Sequence, residues 1–199
     1  MEITEEFSKK CRNNTAILFC RERMWGMLIF RKAKMTDVEN LHTLINSYAE
    51  KGLMLPRSRS MIYECLREFT VVEEDGKFLG TGGLHIIWED LAEIRALALV
   101  EEVKGRGIGR KLVEMLVEEA RSLGIPRVFA LTYQKEFFEK CGFRPVDKEQ
   151  MPHKVWKECI NCPKFPNCDE HAMMMDVLPT GGEGGSSDGQ KNQQQGQGK

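Results

Sequence analysis

Between positions 104 and 111 the chain reads Lys-Gly-Arg-Gly-Ile-Gly-Arg-Lys. Three glycines, Gly105, Gly107 and Gly109, alternate there among the basic residues Lys104, Arg106, Arg110 and Lys111, with Ile108 between the last two glycines. Glycine lets the backbone come close to a bound group, because no Cβ stands in the way. Leu112, Val113, Leu116, Val117 and Ala120 then recur at helical spacing, and Gly124 follows as a stop. A helix start carries free N–H groups and partial positive charge, and with guanidinium groups nearby it suits an anion, most naturally a pyrophosphate. Ahead of the turn, Glu93 to Val100 has the aliphatic content and length of a strand. The bland alternative is a tight strand-to-helix connection with no ligand. The pattern is not a Walker loop, since no Gly-Lys-Ser/Thr follows, and it lacks the Gly-x-Gly-x-x-Gly of a dinucleotide fingerprint.

A second constellation lies later in the chain: His153-x5-Cys159-x2-Cys162-x5-Cys168-x2-His171. Cys159, Cys162 and Cys168 with His171 (or His153) could ligate a structural zinc. The spacing matches no standard finger, and reduced thiols packing a proline-containing loop fit equally. The seven cysteines are an odd number, three of them in this cluster, which argues against a disulfide framework and for a reducing cytoplasm.

These residues need a scaffold. With 199 residues and 41% hydrophobic content, the chain suits one domain with a full core plus appendages. A net charge of −1 gives no global reason to expect nucleic acid or membrane as a partner. No apolar run approaches the roughly 20 residues of a membrane span. Residues 1–26 show no sustained period and read as a leader, or as the product of a start site upstream of a true start at Met24 or Met27. Leu28 to Ala33 reads as a first strand, and Thr36-Asp37-Val38-Glu39 as a capping box with the Thr36 hydroxyl as cap. The helix that follows should bury Val38, Leu41, Leu44, Ile45 and Tyr48 and stop at Gly52. Pro56 makes 53–59 a loop, and 60–69 is a short helix. Asp75-Gly76 marks a hairpin, glycines at 80–83 loosen its second strand, and Leu84 to Trp88 continues the sheet. Residues 151–178 form a Cys-rich segment packed on the domain. The polar, glycine-rich 179–199 should be a disordered tail.

Two motifs in order resemble the GNAT superfamily of N-acetyltransferases. Lys104-x-x-Gly107-x-Gly109 is similar to its Gln/Arg-x-x-Gly-x-Gly/Ala pyrophosphate motif. Phe137-Phe138-Glu139-Lys140-Cys141-Gly142-Phe143, after the strand 127–132, is similar to its Phe-Tyr-Glu-Lys-x-Gly-Phe segment, with Phe138 where the family has tyrosine. The resemblance covers roughly residues 27–150 and implies a single mixed α/β domain, an α+β sheet of the acyl-CoA N-acyltransferase type. Lys51 to Arg59, Ala92 to Ala98 and His153 to Cys159 further resemble the short bacterial amino-acid N-acetyltransferases of arginine biosynthesis, related to the acetyltransferase domain of N-acetylglutamate synthase.

That resemblance implies acetyl-CoA as co-substrate and L-glutamate as acceptor. The turn from Lys104 through Gly105, Arg106, Gly107, Ile108 and Gly109 to Arg110 would hold the CoA pyrophosphate. Backbone groups of Leu97 and Leu99 would contact the pantetheine arm where their strand splays from 127–132, with Phe138 at the cofactor too. Glu93 would accept the amine's proton through a water; its structural alternative is an ion pair with Arg95 or a lysine. Tyr133 would substitute for the missing tyrosine as proton donor, or merely pack at a sheet edge. Arg57, Arg59 and Arg95 would bind the acceptor's carboxylates, Arg95 sharing Glu93's strand face unless a bulge intervenes. Partners are then small molecules, with a homodimer as the one assembly entertained. Two other readings stay open: an acetyltransferase for another amine, such as a polyamine or protein N-terminus, and a non-catalytic acyl-CoA sensor signalling through the Cys-rich segment.

Overall fold

The computed structural model describes residues 27–151, 155, 162, 164 and 167–178. The leader 1–26, the tail 179–199, His153 and Cys159 lie outside them. A seven-stranded sheet runs through the domain: β1 (Leu28–Lys32), β2 (Phe69–Glu74), β3 (Lys77–Trp88), β4 (Leu91–Leu99), β5 (Arg127–Thr132), β6 (Arg144–Val146) and β7 (His171–Asp176). The helices are α1 (Val38–Ala49), α2 (Arg59–Glu64), α3 (Ile108–Ser122) and α4 (Lys135–Lys140). Strand order is β1-β2-β3-β4-β5-β7-β6. All neighbours pair antiparallel except β4 and β5. That parallel pair needs a crossover, and α3 supplies it. The mixed α/β architecture expected from the sequence is present.

The helical period of α3 places Ile108, Leu112, Val113, Leu116, Val117 and Ala120 on one buried stripe. They pack on Leu84, Ala92, Ile94 and Val128, the residues of β3, β4 and β5 that point to that face. On the opposite face Val38, Leu41 and Ile45 of α1 and Ile62 of α2 pack on Phe69 and Val71. Period-2 alternation thus divides β4: Ala92 and Ile94 face α3, and Glu93 and Arg95 face the other way. Tyr48 leaves the expected apolar stripe of α1. Its hydroxyl donates to the Leu99 carbonyl at 2.6 Å.

The entry to α1 differs from the expected capping box. A 3-10 turn, Met35–Asp37, precedes the helix, and Asp37 rather than Thr36 does the capping. Its carboxylate accepts the Lys34 N–H at 2.7 Å and is gripped by both Arg31 nitrogens at 2.7 and 3.0 Å. The Arg31 bonds, helped by the Lys34 amide and opposed by burial, hold the Asp37 carboxyl below the usual carboxylate range.

The glycines of β3 do not loosen it; Lys77–Trp88 is one continuous strand. Their role is close approach. A Cβ on Gly80 would overlap Leu99 Cδ2 and stand 2.6 Å from the Ala98 carbonyl oxygen. One on Gly82 would meet Leu97 of β4 and Leu116 of α3 at 3.0 and 3.1 Å.

Two outcomes follow. Gly80→Ala should destabilise the fold by about 1–3 kcal/mol, because β4 backbone cannot yield as a flexible side chain would; thermal unfolding should show a Tm lower by several degrees. The Asp37 contribution is present above the unfolded carboxylate pKa of about 3.9 and fades as pH falls through the lower folded value. Asp37→Asn should therefore lower Tm at pH 7 and flatten its acid-side decline, read from Tm measured between pH 7 and pH 2.

Candidate active site

β4 and β5 are joined by only three rungs, Leu91↔Arg127, Ala92↔Val128 and Glu93↔Phe129. Past Glu93 the strands part, although β4 continues to Leu99 and β5 to Thr132. Each is held to its other neighbour. β5 pairs with β7 along its whole length, from Arg127↔Asp176 to Thr132↔His171. β4 keeps pairing with β3 through a bulge, where the register jumps from Gly83↔Arg95 to Thr81↔Ala98. At that bulge Ala96 has φ 51, a left-handed conformation that is uncommon outside glycine. The bulge falls beyond Arg95, so Glu93 and Arg95 keep one face as the alternation predicts.

The mouth of the gap abuts the basic turn. Gly107, at φ 80, caps α3, and the first intrahelical bond is Lys111 N–H to Gly107 C=O at 3.1 Å. The amides of Gly107, Ile108, Gly109 and Arg110 therefore have no acceptor inside the helix, at its positive end. Gly109 lies against β4 and α4, since a Cβ there would touch Leu99 and Phe137 at 3.5 Å. The Ile108 side chain is buried in the core, so it offers only its amide.

The side chains of the turn are less available than its amides. Arg106 forks onto Glu74 of β2 at 3.0 and 2.5 Å, and its amide donates to Val103. It ties the turn to β2. Lys104 binds Glu101 at 2.8 Å and lies over the Tyr48 ring. Arg110 makes an exposed pair with Glu114. The Leu99 carbonyl, one of the backbone groups considered for a ligand, accepts from the Tyr48 hydroxyl.

On the face away from α3 the gap opens into a cavity of about 1510 Å³ whose wall includes Arg57, His85, Glu93, Arg95, Leu97 and Tyr133. Arg57 is 7% exposed, and the Asn46 side chain clasps its backbone through bonds of 3.2 and 2.9 Å. Arg95 is 9% exposed and donates Nη2 to Glu68 Oε2 at 2.7 Å. The other Glu68 oxygen meets His85 Nδ1 at 2.9 Å. Burial pushes the Glu68 carboxyl up, but the His85 and Arg95 contacts outweigh it and hold the group below the usual range. His85 stands directly opposite Glu93 on the β3–β4 ladder. Sequence reasoning passed over Glu68, His85 and Tyr48, because only strand register and the α1 docking angle bring them here.

Three expected residues sit differently. Arg59 is on the outer surface, forked onto Glu39 at 2.7 Å through both Nε and Nη2, and does not join the cavity wall. Tyr133 reaches the cavity, but its hydroxyl donates to Asp169 at 2.6 Å and accepts from Lys164 at 2.5 Å. Burial, with the Asp169 bond adding to it, pushes the Tyr133 phenol above its ordinary pKa, so the proton is held more tightly. Phe138 is 4% exposed and packs edge-to-face between Phe137 and Phe143, mainly as a core residue.

The zinc expectation finds no support. Cys162 and Cys168 line the cavity, whereas His171 opens β7 on the exposed surface. Among the described residues no three His, Cys, Asp or Glu side chains gather closely enough to hold a metal. The remaining expected ligand, Cys159, lies outside those residues.

Comparison with known proteins fits this geometry. The acetyltransferase (GNAT) family model matches residues 36–143. The uncharacterized N-acetyltransferase CT2212 of Chlorobaculum tepidum is 39% identical over 144 residues, 72% of this chain and 93% of its own. An amino-acid acetyltransferase of Mycobacterium tuberculosis is 37% identical over 133 residues, 65% of this chain and 76% of its own. Among solved structures, Rv2747 from Mycobacterium tuberculosis, in complex with CoA, superposes with TM-score 0.67 at 32% identity, covering 75% of this chain and 99% of that one. N-acetylglutamate synthase from Neisseria gonorrhoeae, complexed with coenzyme A and N-acetyl-glutamate, gives TM-score 0.70 at 26% identity, over 77% of this chain and 36% of that one. With a splayed parallel pair, a glycine-rich helix start beside it and the family match across more than half its length, the chain belongs to the acetyltransferase (GNAT) family of acyltransferase enzymes.

Proposed function

We propose that this chain transfers the acetyl group of acetyl-CoA to the α-amino group of L-glutamate, giving N-acetyl-L-glutamate, the first step of arginine biosynthesis. One observation carries the reading: Glu93 occupies the last rung before β4 and β5 part, with Arg57 and Arg95 in the same cavity wall. A proton acceptor thus stands where the gap begins, and guanidinium groups stand where an anionic acceptor would lie. The names of the Mycobacterium and Neisseria relatives support an amino acid as acceptor, and the Neisseria synthase supports glutamate among amino acids.

Acetyl-CoA, when bound, supplies the activated acyl thioester. The residues of the chain do the rest. The amides of Gly107 to Arg110 face the diphosphate at the positive end of α3. The unpaired edge of β4 around Leu97 orients the arm and offers an N–H to the carbonyl oxygen, where negative charge develops. An amine is mostly protonated at neutral pH, so Glu93 takes its proton, directly or through a water, before nitrogen attacks. Arg57 and Arg95 hold carboxylate oxygens, for which planar guanidinium forks are suited. With the Tyr133 proton committed to Asp169, the departing thiolate takes its proton from solvent at the open mouth. Cys65, Cys141, Cys162 and Cys168 are free thiols, in keeping with a cytoplasmic location within the same proposal.

A thiol-release assay across amino acids should give the highest kcat/KM with L-glutamate; preference for a polyamine or peptide amine, or no turnover with any amine, would replace the reading. Glu93→Gln should lower kcat by about 10²- to 10⁴-fold with acetyl-CoA affinity by calorimetry unchanged. Arg57→Ala should raise the KM for glutamate by about 10- to 100-fold, as expected for losing a charged hydrogen bond. Arg59→Ala, at the surface pair with Glu39, should leave that KM unmoved in the same steady-state measurement.

A further inference from the structure

We propose that His85, oriented by Glu68, is a second proton acceptor of the acetyl-transfer reaction, receiving on Nε2 the proton that leaves the acceptor's ammonium by way of Glu93. The inference rests on the acetyl-transfer reading above and deepens it. No residue motif announces this pair, which the fold assembles from the 3-10 turn Leu66–Glu68 and the middle of β3.

Three geometric features place His85 beside Glu93. First, Glu68 Oε1 lies 2.9 Å from His85 Nδ1. An ionised carboxylate can only accept, so Nδ1 carries a hydrogen and the neutral ring presents its lone pair at Nε2. Second, His85 and Glu93 are directly paired residues of an antiparallel ladder, whose Cβ atoms lie about 4.5–5.5 Å apart on one face of the sheet. That spacing is within reach of a proton passed directly or through one water. Third, both residues line the same cavity.

The charges facing His85 come from three elements. Glu68 approaches from the 3-10 turn before β2, while Glu93 and Arg95 project from β4. Arg57, from the loop before α2, and Cys65, between α2 and that turn, belong to the same charged neighbourhood as Glu68 and Arg95. Glu68 is fixed on its far side by Arg95, so its carboxylate cannot swing away from the ring. A carboxylate held against the far nitrogen of an imidazole sets its tautomer and stabilises the imidazolium, the arrangement used in hydrolase triads.

The chemistry balances without a co-reactant. The ammonium N–H bond breaks, its electron pair stays on the amine nitrogen, and the proton passes through Glu93 to form the Nε2–H bond. The new positive charge on the ring faces the Glu68 carboxylate. Bulk water removes the proton through the open mouth before the next turnover. Unlike a carboxylate, the neutral imidazole ring offers a lone pair on one nitrogen while its other nitrogen donates to Glu68. Glu68 is then a positioning residue, acting through His85.

The test is kcat and the KM for each substrate, in the full chain and in His85→Asn, His85→Gln and Glu68→Gln. Both His85 variants should lose about 10²-fold in kcat with the KM for acetyl-CoA unchanged. Glu68→Gln should lower kcat by about tenfold with the KM for both substrates unchanged, because the ring loses the carboxylate that orients it. Nitrogen-15 shifts of the His85 ring in the unliganded chain should report Nδ1–H with Nε2 unprotonated at pH 8, a readout independent of turnover. Wild-type kcat in either folded His85 variant or in Glu68→Gln, or an Nε2–H tautomer, would overturn the role of His85 and leave the acetyl-transfer reading standing. Absence of turnover with any amino acid in the wild-type chain would overturn both.

Discussion

Everything at this site depends on a ladder that stops after three rungs. Parallel strands joined by a helical crossover would ordinarily continue to pair, because an unbonded edge buried in protein leaves N–H and C=O groups without partners. Here the ladder ends at Glu93↔Phe129. Beyond it β5 stays paired with β7 on its outer edge, and β4 follows the bulge at Ala96 along β3 on its own outer edge. Backbone groups that would have bonded to each other line the gap instead.

The glycines of β3 belong to the same constraint. β4 can follow its bulged course only if its neighbour lets it come close, and Gly80 and Gly82 give that room against Leu99, Ala98 and Leu97. On the other side α3 packs its apolar stripe on the sheet and brings its N-terminus to the mouth of the gap. One helix therefore does two jobs, burying the core with one face and presenting unbonded amides at its end. The Arg106 pair with Glu74 ties the turn that starts α3 to β2.

The cavity on the opposite face is organised by charge. Glu68 gathers His85 and Arg95, and the clasp of Asn46 on the Arg57 backbone fixes where that side chain starts. Removing a charged group from water is unfavourable unless it finds partners, which is why buried Arg95 comes with the Glu68 carboxylate rather than alone. The exposed fork between Arg59 and Glu39 follows a different logic. In solvent it is worth little, and it has no bearing on the cavity.

Local chemistry determined much of this protein in advance. The helical period of 112–120, the Asp75-Gly76 hairpin and the glycine turn between strand and helix each rest on neighbours in sequence, and each is where the residues place it. So is the shared face of Glu93 and Arg95, since period-2 alternation is a local property that the bulge, falling past Arg95, leaves intact. Long-range pairing decided the rest. Arg57 and Arg59 are two residues apart and look equivalent as sequence, but one is buried at the cavity and the other lies outside on Glu39. The same is true of Arg106, whose partner lies 32 positions away, and of Glu68, His85 and Arg95, which meet only once β2, β3 and β4 have found their register. Side-chain type and spacing state what chemistry a residue can do; which partner claims it first is settled by the packing of distant elements.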